Sequence, residues 1–207
     1  MQAALKQDLT GVDEYLAGEQ TGQVRHEYID GAVYAMAGAS REHNEIIGNI
    51  YSSLRTALRG TPSRAFFLDL KVRLNLQEQN IFYYPDLMVG CDPRDTERLY
   101  LRYPRILIEV SSESTERLDR HEKLSAYQTL ATLEEYLIVA QDRMEVTLFR
   151  RVNNWHPEVF NVRDQTFRLA SINFVLPLAT IYEGVLMRSS RRRALNHPGR
   201  KRPPDRG

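Results

Sequence analysis

Two acids in this chain stand among residues that disfavour them. Asp86 follows Tyr84-Pro85 and leads the apolar run Leu87-Met88-Val89, and Glu109 interrupts Ile106-Leu107-Ile108 just before Val110. An ionised carboxylate among aliphatic side chains is costly unless a cation neutralises it. Where two such acids converge, a divalent ion bound through oxygen is the commonest partner. Lys123, in Asp119-Arg120-His121-Glu122-Lys123, adds a positive charge on the segment that follows. Two strand-borne acids and a nearby lysine are the parts needed to hydrolyse a phosphodiester with magnesium. Each residue also has a plainer explanation. Asp86 fits a turn at an edge strand, where Pro85 is tolerated. Glu109 fits a buried salt bridge, and Lys123 an exposed helical pair with Asp119, four residues earlier, worth only a few tenths of a kcal/mol. Tyr127, one helical turn beyond Lys123, either shares its face or packs beside Leu124 and Leu130. Glu27 and His43 are further candidates for the same cleft, although one acid or one imidazole carries little information alone.

The elements that must position these residues follow from periodicity and turn chemistry. Leu9 to Ala17 reads as a short helix with Thr10 as its N-cap and Asp13 three residues on. Glu27 to Ala35 reads as a hairpin turning at Asp30-Gly31, a pair that favours the positive dihedrals of a tight turn. Ser40 caps a long helix to about Arg59, whose stripe of Ile46, Ile47, Ile50, Leu54, Ala57 and Leu58 keeps the helical period until Gly60-Thr61-Pro62. Strand patterns come next, at Ala65–Leu70, Val72–Leu76, Ile81–Val89 and Arg105–Val110. A helix capped by Ser114 or Thr115 runs to about Leu130. Strands at Glu135–Ala140, Glu145–Arg151, Trp155–Phe160 and Thr166–Leu169 precede a closing helix at Leu178–Met187. This order predicts an α/β or α+β sheet covered by helices.

The 207 residues suffice for one domain with a sizeable core. The single cysteine, Cys91, excludes an internal disulfide and a multi-cysteine zinc site, and suits a reducing compartment. No 18-residue apolar run or signal-like leader stands out, so the expected location is the cytoplasm, away from membranes. The net charge of +1 conceals an asymmetry. Eight Lys and Arg against Asp205 alone lie from Arg188 to Gly207, leaving 20 basic and 26 acidic residues before them. The body thus carries −6 and the tail +7. Residues 1–187 are read as the folded domain and 188–207 as a basic, disordered tail. Such a tail either grips nucleic acid through phosphate contacts or merely aids solubility.

Taken in order, the motifs resemble the PD-(D/E)XK nuclease superfamily, most closely its bacterial Uma-type branch. The resemblance rests on His26-Glu27-Tyr28-Ile29-Asp30-Gly31 with Val33-Tyr34, His43, Tyr84-Pro85-Asp86-Leu87, Ile108-Glu109-Val110, Ser112 with Ser114-Thr115, Asp119, Lys123-Leu124, Tyr127 and Glu135-Tyr136. It spans about Val12 to Leu169. Ser111 stands where the superfamily keeps its lysine, and Lys123 fits a version in which that lysine has migrated to the next helix. Glu113 and Leu137 also depart from the branch, which usually has proline and tryptophan there.

The resemblance implies a restriction-endonuclease-like core, a central mixed sheet flanked by helices. It implies a metal-dependent endonuclease in which Asp86, Glu109 and the Val110 carbonyl hold Mg²⁺, with Mn²⁺ able to substitute. Lys123 would position the attacking water, Glu27 would hold a second ion or orient a ligand, and the product would carry a 5′-phosphate. The expected partners are nucleic acid, DNA in the first instance, and a second copy of the chain. The Lys123 ammonium is expected within a hydrogen bond or one bridging water of both Asp86 and Glu109. The acidic body favours a competing reading, a catalytically inactive nucleic-acid-binding or assembly module of the same fold. It is also compatible with a hydrolase of small phosphorylated molecules.

Overall fold

The chain's alternation between strand and helix periods resolves, in a computed structural model, into two mixed sheets with few helices around them. The structure describes residues 9–112 and 115–186. In chain order, helix α1 is Val12–Thr21, strands β1 and β2 are His26–Ile29 and Ala32–Ala35, and helix α2 is Arg41–Ala57. Strands β3 to β8 are Arg64–Phe67, Lys71–Leu76, Gln79–Tyr83, Leu87–Gly90, Tyr100–Leu101 and Pro104–Ser111. A helical segment follows in three parts: α3 (Glu116–Leu118), a π-helical turn (Asp119–Lys123) and α4 (Leu124–Tyr127). Strands β9 to β13 are Glu135–Ala140, Val146–Arg150, Glu158–Phe160, Thr166–Leu169 and Phe174–Pro177, and α5 is Leu178–Ile181.

The larger sheet has six strands in the order β11-β10-β9-β8-β6-β3. Only β8 and β9 are parallel in it, and they are joined by the helical segment, as a parallel pair requires a long crossover. The second sheet has the order β2-β1-β5-β4-β7, and β12 and β13 form a separate hairpin. Strand β8 alternates between two cores. Ile106, Ile108 and Val110 face the cluster that holds α2 through Ile46, Ile47, Ile50 and Leu54. Leu107 faces the other cluster, with Val72, Leu74 and Ile81 of the second sheet and Tyr127 of α4. One face of the larger sheet is therefore covered by a helix and the other largely by a second sheet.

Several local expectations need correction. Ile81–Val89 is not one strand. The chain leaves the second sheet at Tyr83 and enters the larger one at Leu87, so Tyr84-Pro85-Asp86 bridges two sheets. Proline fixes one dihedral and lacks a ladder donor, which suits such a crossing. Thr10 does not cap α1; the helix begins one residue later with Gly11 as its N-cap, and the Thr10 amide donates to the Gly31 carbonyl at 3.0 Å. The closing helix spans only Leu178–Ile181, and Phe174–Pro177 before it pairs with β12. Thr115 makes no side-chain cap to α3, and Ser114 lies outside the described residues. The proposed tail, residues 188–207, also lies outside them. The Ser40 cap of α2 is present, its hydroxyl accepting from the His43 amide. The hairpin turns at Asp30-Gly31 with positive φ at both residues. No helix among the described residues is long and apolar enough to cross a membrane.

Candidate active site

The functional candidates meet where the Tyr84-Pro85-Asp86 crossing runs past the C-terminal half of β8. Glu109 shares the Leu107 face of β8 and points toward the helical segment. There Lys123 Nζ donates to Glu109 Oε1 at 3.1 Å and Tyr127 Oη donates to the same oxygen at 2.7 Å. Glu27, on β1, reaches Lys123 from the second sheet, also at 3.1 Å. Asp119, one helical turn before Lys123, lies 3.7 Å from the ammonium. It also accepts a short hydrogen bond from the Ser111 hydroxyl. Glu109, Asp119 and Lys123 are 4%, 4% and 6% exposed, so the Lys123–Asp119 pair is interior rather than a surface ornament.

Asp86 is held differently. One carboxylate oxygen accepts from the Val110 amide at 2.6 Å, and the other lies 3.0 Å from His43 Nε2. His43 Nδ1 is 3.1 Å from the Val110 carbonyl. Both ring nitrogens face acceptors, and only the doubly protonated imidazole can donate to both. Burial disfavours that cation, but the hydrogen bond and charge of Asp86, helped by the Val110 carbonyl, outweigh it and raise the His43 pKa.

Four carboxylates thus gather around one lysine and one histidine. Burial pushes the Glu109 pKa far up; Lys123 opposes this, while Asp119, Asp86 and Glu27 add to it. Asp119 is raised for the same first reason, desolvation, against the pull of Lys123 and Ser111. Lys123 is desolvated too, yet its acidic neighbours, Glu109 first, raise its pKa and keep it charged. The formal negative charge exceeds the positive, and the raised Glu109 and Asp119 pKa values express that imbalance, which a further cation would relieve.

Carboxylate and carbonyl oxygens are the donor chemistry that a hard divalent ion takes. Asp86 and the Val110 carbonyl, two of the ligands implied by the resemblance, already gather a cation between them, the His43 imidazolium. Among the described residues no three His, Cys, Asp or Glu side chains converge closely enough to enclose an ion. Magnesium tolerates this, because it commonly keeps several waters and takes only one or two carboxylates plus phosphate oxygens.

The expectations for single residues have mixed outcomes. Asp86, Glu109, Lys123, Glu27, His43 and Tyr127 all come to one locality. Lys123 reaches Glu109 as expected, but its ion pairs are with Glu109, Glu27 and Asp119, while Asp86 pairs with His43. Sequence reasoning missed Asp119 as a member of the buried cluster. Its spacing from Lys123 was the signal, and the π-helical turn that turns both inward has no sequence signature.

Comparison with known proteins agrees with this architecture. A family model described as "Uma2: Putative restriction endonuclease" matches residues 12–179. Protein slr1290 of Synechocystis sp., described as uncharacterized, is 32% identical over 175 residues, covering 84% of this chain and 91% of its own length. Protein sll1609 of Synechocystis sp., also described as uncharacterized, is 30% identical over 144 residues, covering 68% and 80%. A crystal structure described as a "putative nuclease belonging to DUF820" from Anabaena variabilis superposes with a TM-score of 0.65. It covers 84% of this chain and 98% of that one at 19% identity, which establishes a shared, restriction-endonuclease-like α+β fold. With most of its length matched by the family model, the chain belongs to the Uma2 family.

Proposed function

We propose that the chain is a metal-dependent endonuclease that hydrolyses phosphodiester bonds of nucleic acid. The observation that carries this reading is the cluster of Glu27, Asp86, Glu109 and Asp119, the last two buried, whose formal charge exceeds that of Lys123 and His43. Family membership supports it. Asp86, Glu109 and the Val110 carbonyl would hold the ion, Mg²⁺ or Mn²⁺. When bound, the ion would lower the pKa of a water and steady charge on the phosphate. Lys123 retains its proton beside Glu109, so it acts as a fixed positive charge near the reacting phosphate rather than as a base. Tyr127 and Lys123 both bind Glu109 Oε1 and so aim the other oxygen of that carboxylate. Glu27 restrains Lys123 from the opposite sheet.

Incubating the full chain with plasmid and with single-stranded substrates, with and without Mg²⁺ or Mn²⁺, tests the proposal. Cleavage should need the ion, leave 5′-phosphate ends, and disappear in Asp86→Ala and Glu109→Ala proteins that remain folded. Cleavage at the wild-type rate by purified Glu109→Ala would overturn the assignment.

A further inference from the structure

Against Asp86 the surface forms a cavity of about 340 Å³, within the range of small-molecule sites, roughly 300–1,000 Å³. Tyr84-Pro85-Asp86 lines it together with Val24, Arg25, Met36, Leu68 and Asp69. Val24, Met36 and Leu68 are exposed apolar side chains, unusual company for a site of phosphate chemistry. Leu68 and Asp69 both adopt positive φ, 52° and 51°. For a bulky leucine that conformation is an outlier, and such strain concentrates at functional sites. The turn is tied to the acid, since the Leu68 amide donates to the Asp86 carbonyl at 3.4 Å. Asp69 is tied in turn to Arg25 at 3.0 Å.

Charge narrows the occupant. Among the described residues, Arg25 is the one basic residue lining the cavity, and its guanidinium already serves Asp69 and the Glu19 and Gly22 carbonyls. Asp69 is paired with Arg25 and Asp86 with His43, so among the described residues the lining offers no uncommitted cation to a phosphate. The part of a nucleotide that suits a largely apolar cavity without an uncommitted cation is its uncharged base. In a duplex that base is paired and stacked, and extracting it costs free energy.

We propose that this cavity takes an unpaired nucleobase adjoining the scissile phosphate, which directs the site to single-stranded nucleic acid or unpaired stretches over intact duplex. The inference rests on the nuclease reading above and specifies its substrate.

The test uses the full chain with Ca²⁺ and three fluorescent probes of equal length: oligothymidylate, an all-abasic strand, and a paired duplex. Fluorescence anisotropy should show oligothymidylate binding at least about fivefold tighter than either other probe, the scale of one base contact. Ala37→Trp fills the cavity from an exposed lining position and should bring oligothymidylate to the affinity of the abasic strand. Met36→Ala, which removes part of the wall, should move binding in the same direction. Equal affinity of wild type for oligothymidylate and the abasic strand, tighter binding of duplex, or indifference to Ala37→Trp would overturn the proposal. If the expected order of affinities holds but no metal supports cleavage, the base site stands and the nuclease reading fails. If duplex and single strand are cut alike, the nuclease reading stands and the base site fails.

Discussion

Lys123 is the residue on which the site's electrostatics turn, because its ammonium lies within 4 Å of three carboxylates in a dry interior. Removing one partner of a buried ion pair leaves an uncompensated charge and typically costs about 3–5 kcal/mol. Lys123→Met should therefore lower unfolding free energy by about that amount in denaturant melts. Adding Glu109→Gln should recover a good part of the loss, since it removes the most deeply desolvated acid, and should not recover cleavage. Glu109→Gln alone should raise the stability of the metal-free protein, because burial and the neighbouring acids disfavour the charged form of Glu109. On the proposed function Mn²⁺ should raise the melting temperature of wild type, and Glu109→Gln should abolish that shift. A Glu109→Gln protein that melts below wild type and still responds to Mn²⁺ would contradict the cluster's role as a cation site. At this scale the sequence was readable where a residue contradicted its neighbours. Asp86 and Glu109 stood out because aliphatic side chains surround them. Asp119 did not, because Leu118-Asp119-Arg120 looks like an ordinary exposed helix face.

Elements bring these residues together, and two of them do so through irregularities. The π-helical turn Asp119–Lys123 interrupts the crossover helix and leaves Asp119, Lys123 and Tyr127 all buried, with Lys123 and Tyr127 both bonded to Glu109. The Tyr84-Pro85-Asp86 crossing needs its own anchor, and α1 supplies it. Buried Glu19 accepts from the Tyr84 hydroxyl and from the His26 amide. Burial raises the Glu19 pKa, but the Tyr84 and His26 hydrogen bonds outweigh this and lower it below the usual carboxylate range. The charged form is thus favoured by folding. Its stabilisation is complete above the unfolded carboxyl pKa, about 4.5, and fades as pH falls through the lower folded value. Glu19→Gln should cost about 1–3 kcal/mol at pH 7, as hydrogen bonds to charged groups do, and the difference from wild type should close below about pH 4. Denaturant melts at several pH values measure it; a difference constant to pH 3 would show that Glu19 acts by shape alone. Long regular elements were the legible ones. The α2 stripe and the strands Glu135–Ala140 and Thr166–Leu169 follow directly from periodicity and cap chemistry. The break at Tyr84-Pro85-Asp86 was not, because an apolar run reads the same whether it serves one sheet or two.

For the whole molecule, the two sheets share one apolar core, and the site draws on Glu27 from the smaller sheet and on Asp86 and Glu109 beside and within the larger. That arrangement was beyond sequence reasoning, which anticipated a mixed sheet and its helices but had no signal for how strands divide between sheets. Charge was readable at this scale. Before residue 188 the chain carries −6, a poor surface for a polyanion, and the last 20 residues carry +7. On the proposed function, association with nucleic acid should then depend on the basic residues after Met187, and cleavage on the cluster around Lys123. Deleting residues 188–207 should leave the folded part with its cation response intact, because every carboxylate of the cluster and Lys123 precede the cut. Affinity should fall, and the logarithm of the binding constant should lose slope against the logarithm of salt. Eight phosphate contacts on a single strand would account for a slope of about 6, so loss of even half of them is measurable. Titrating the full and shortened chains with a labelled oligonucleotide from 50 to 200 mM salt, roughly the range over which counterion release is strongest, gives both quantities. Equal affinity and equal slope would assign the tail to solubility alone and require the acidic body to hold its substrate through the metal and the Asp86 cavity.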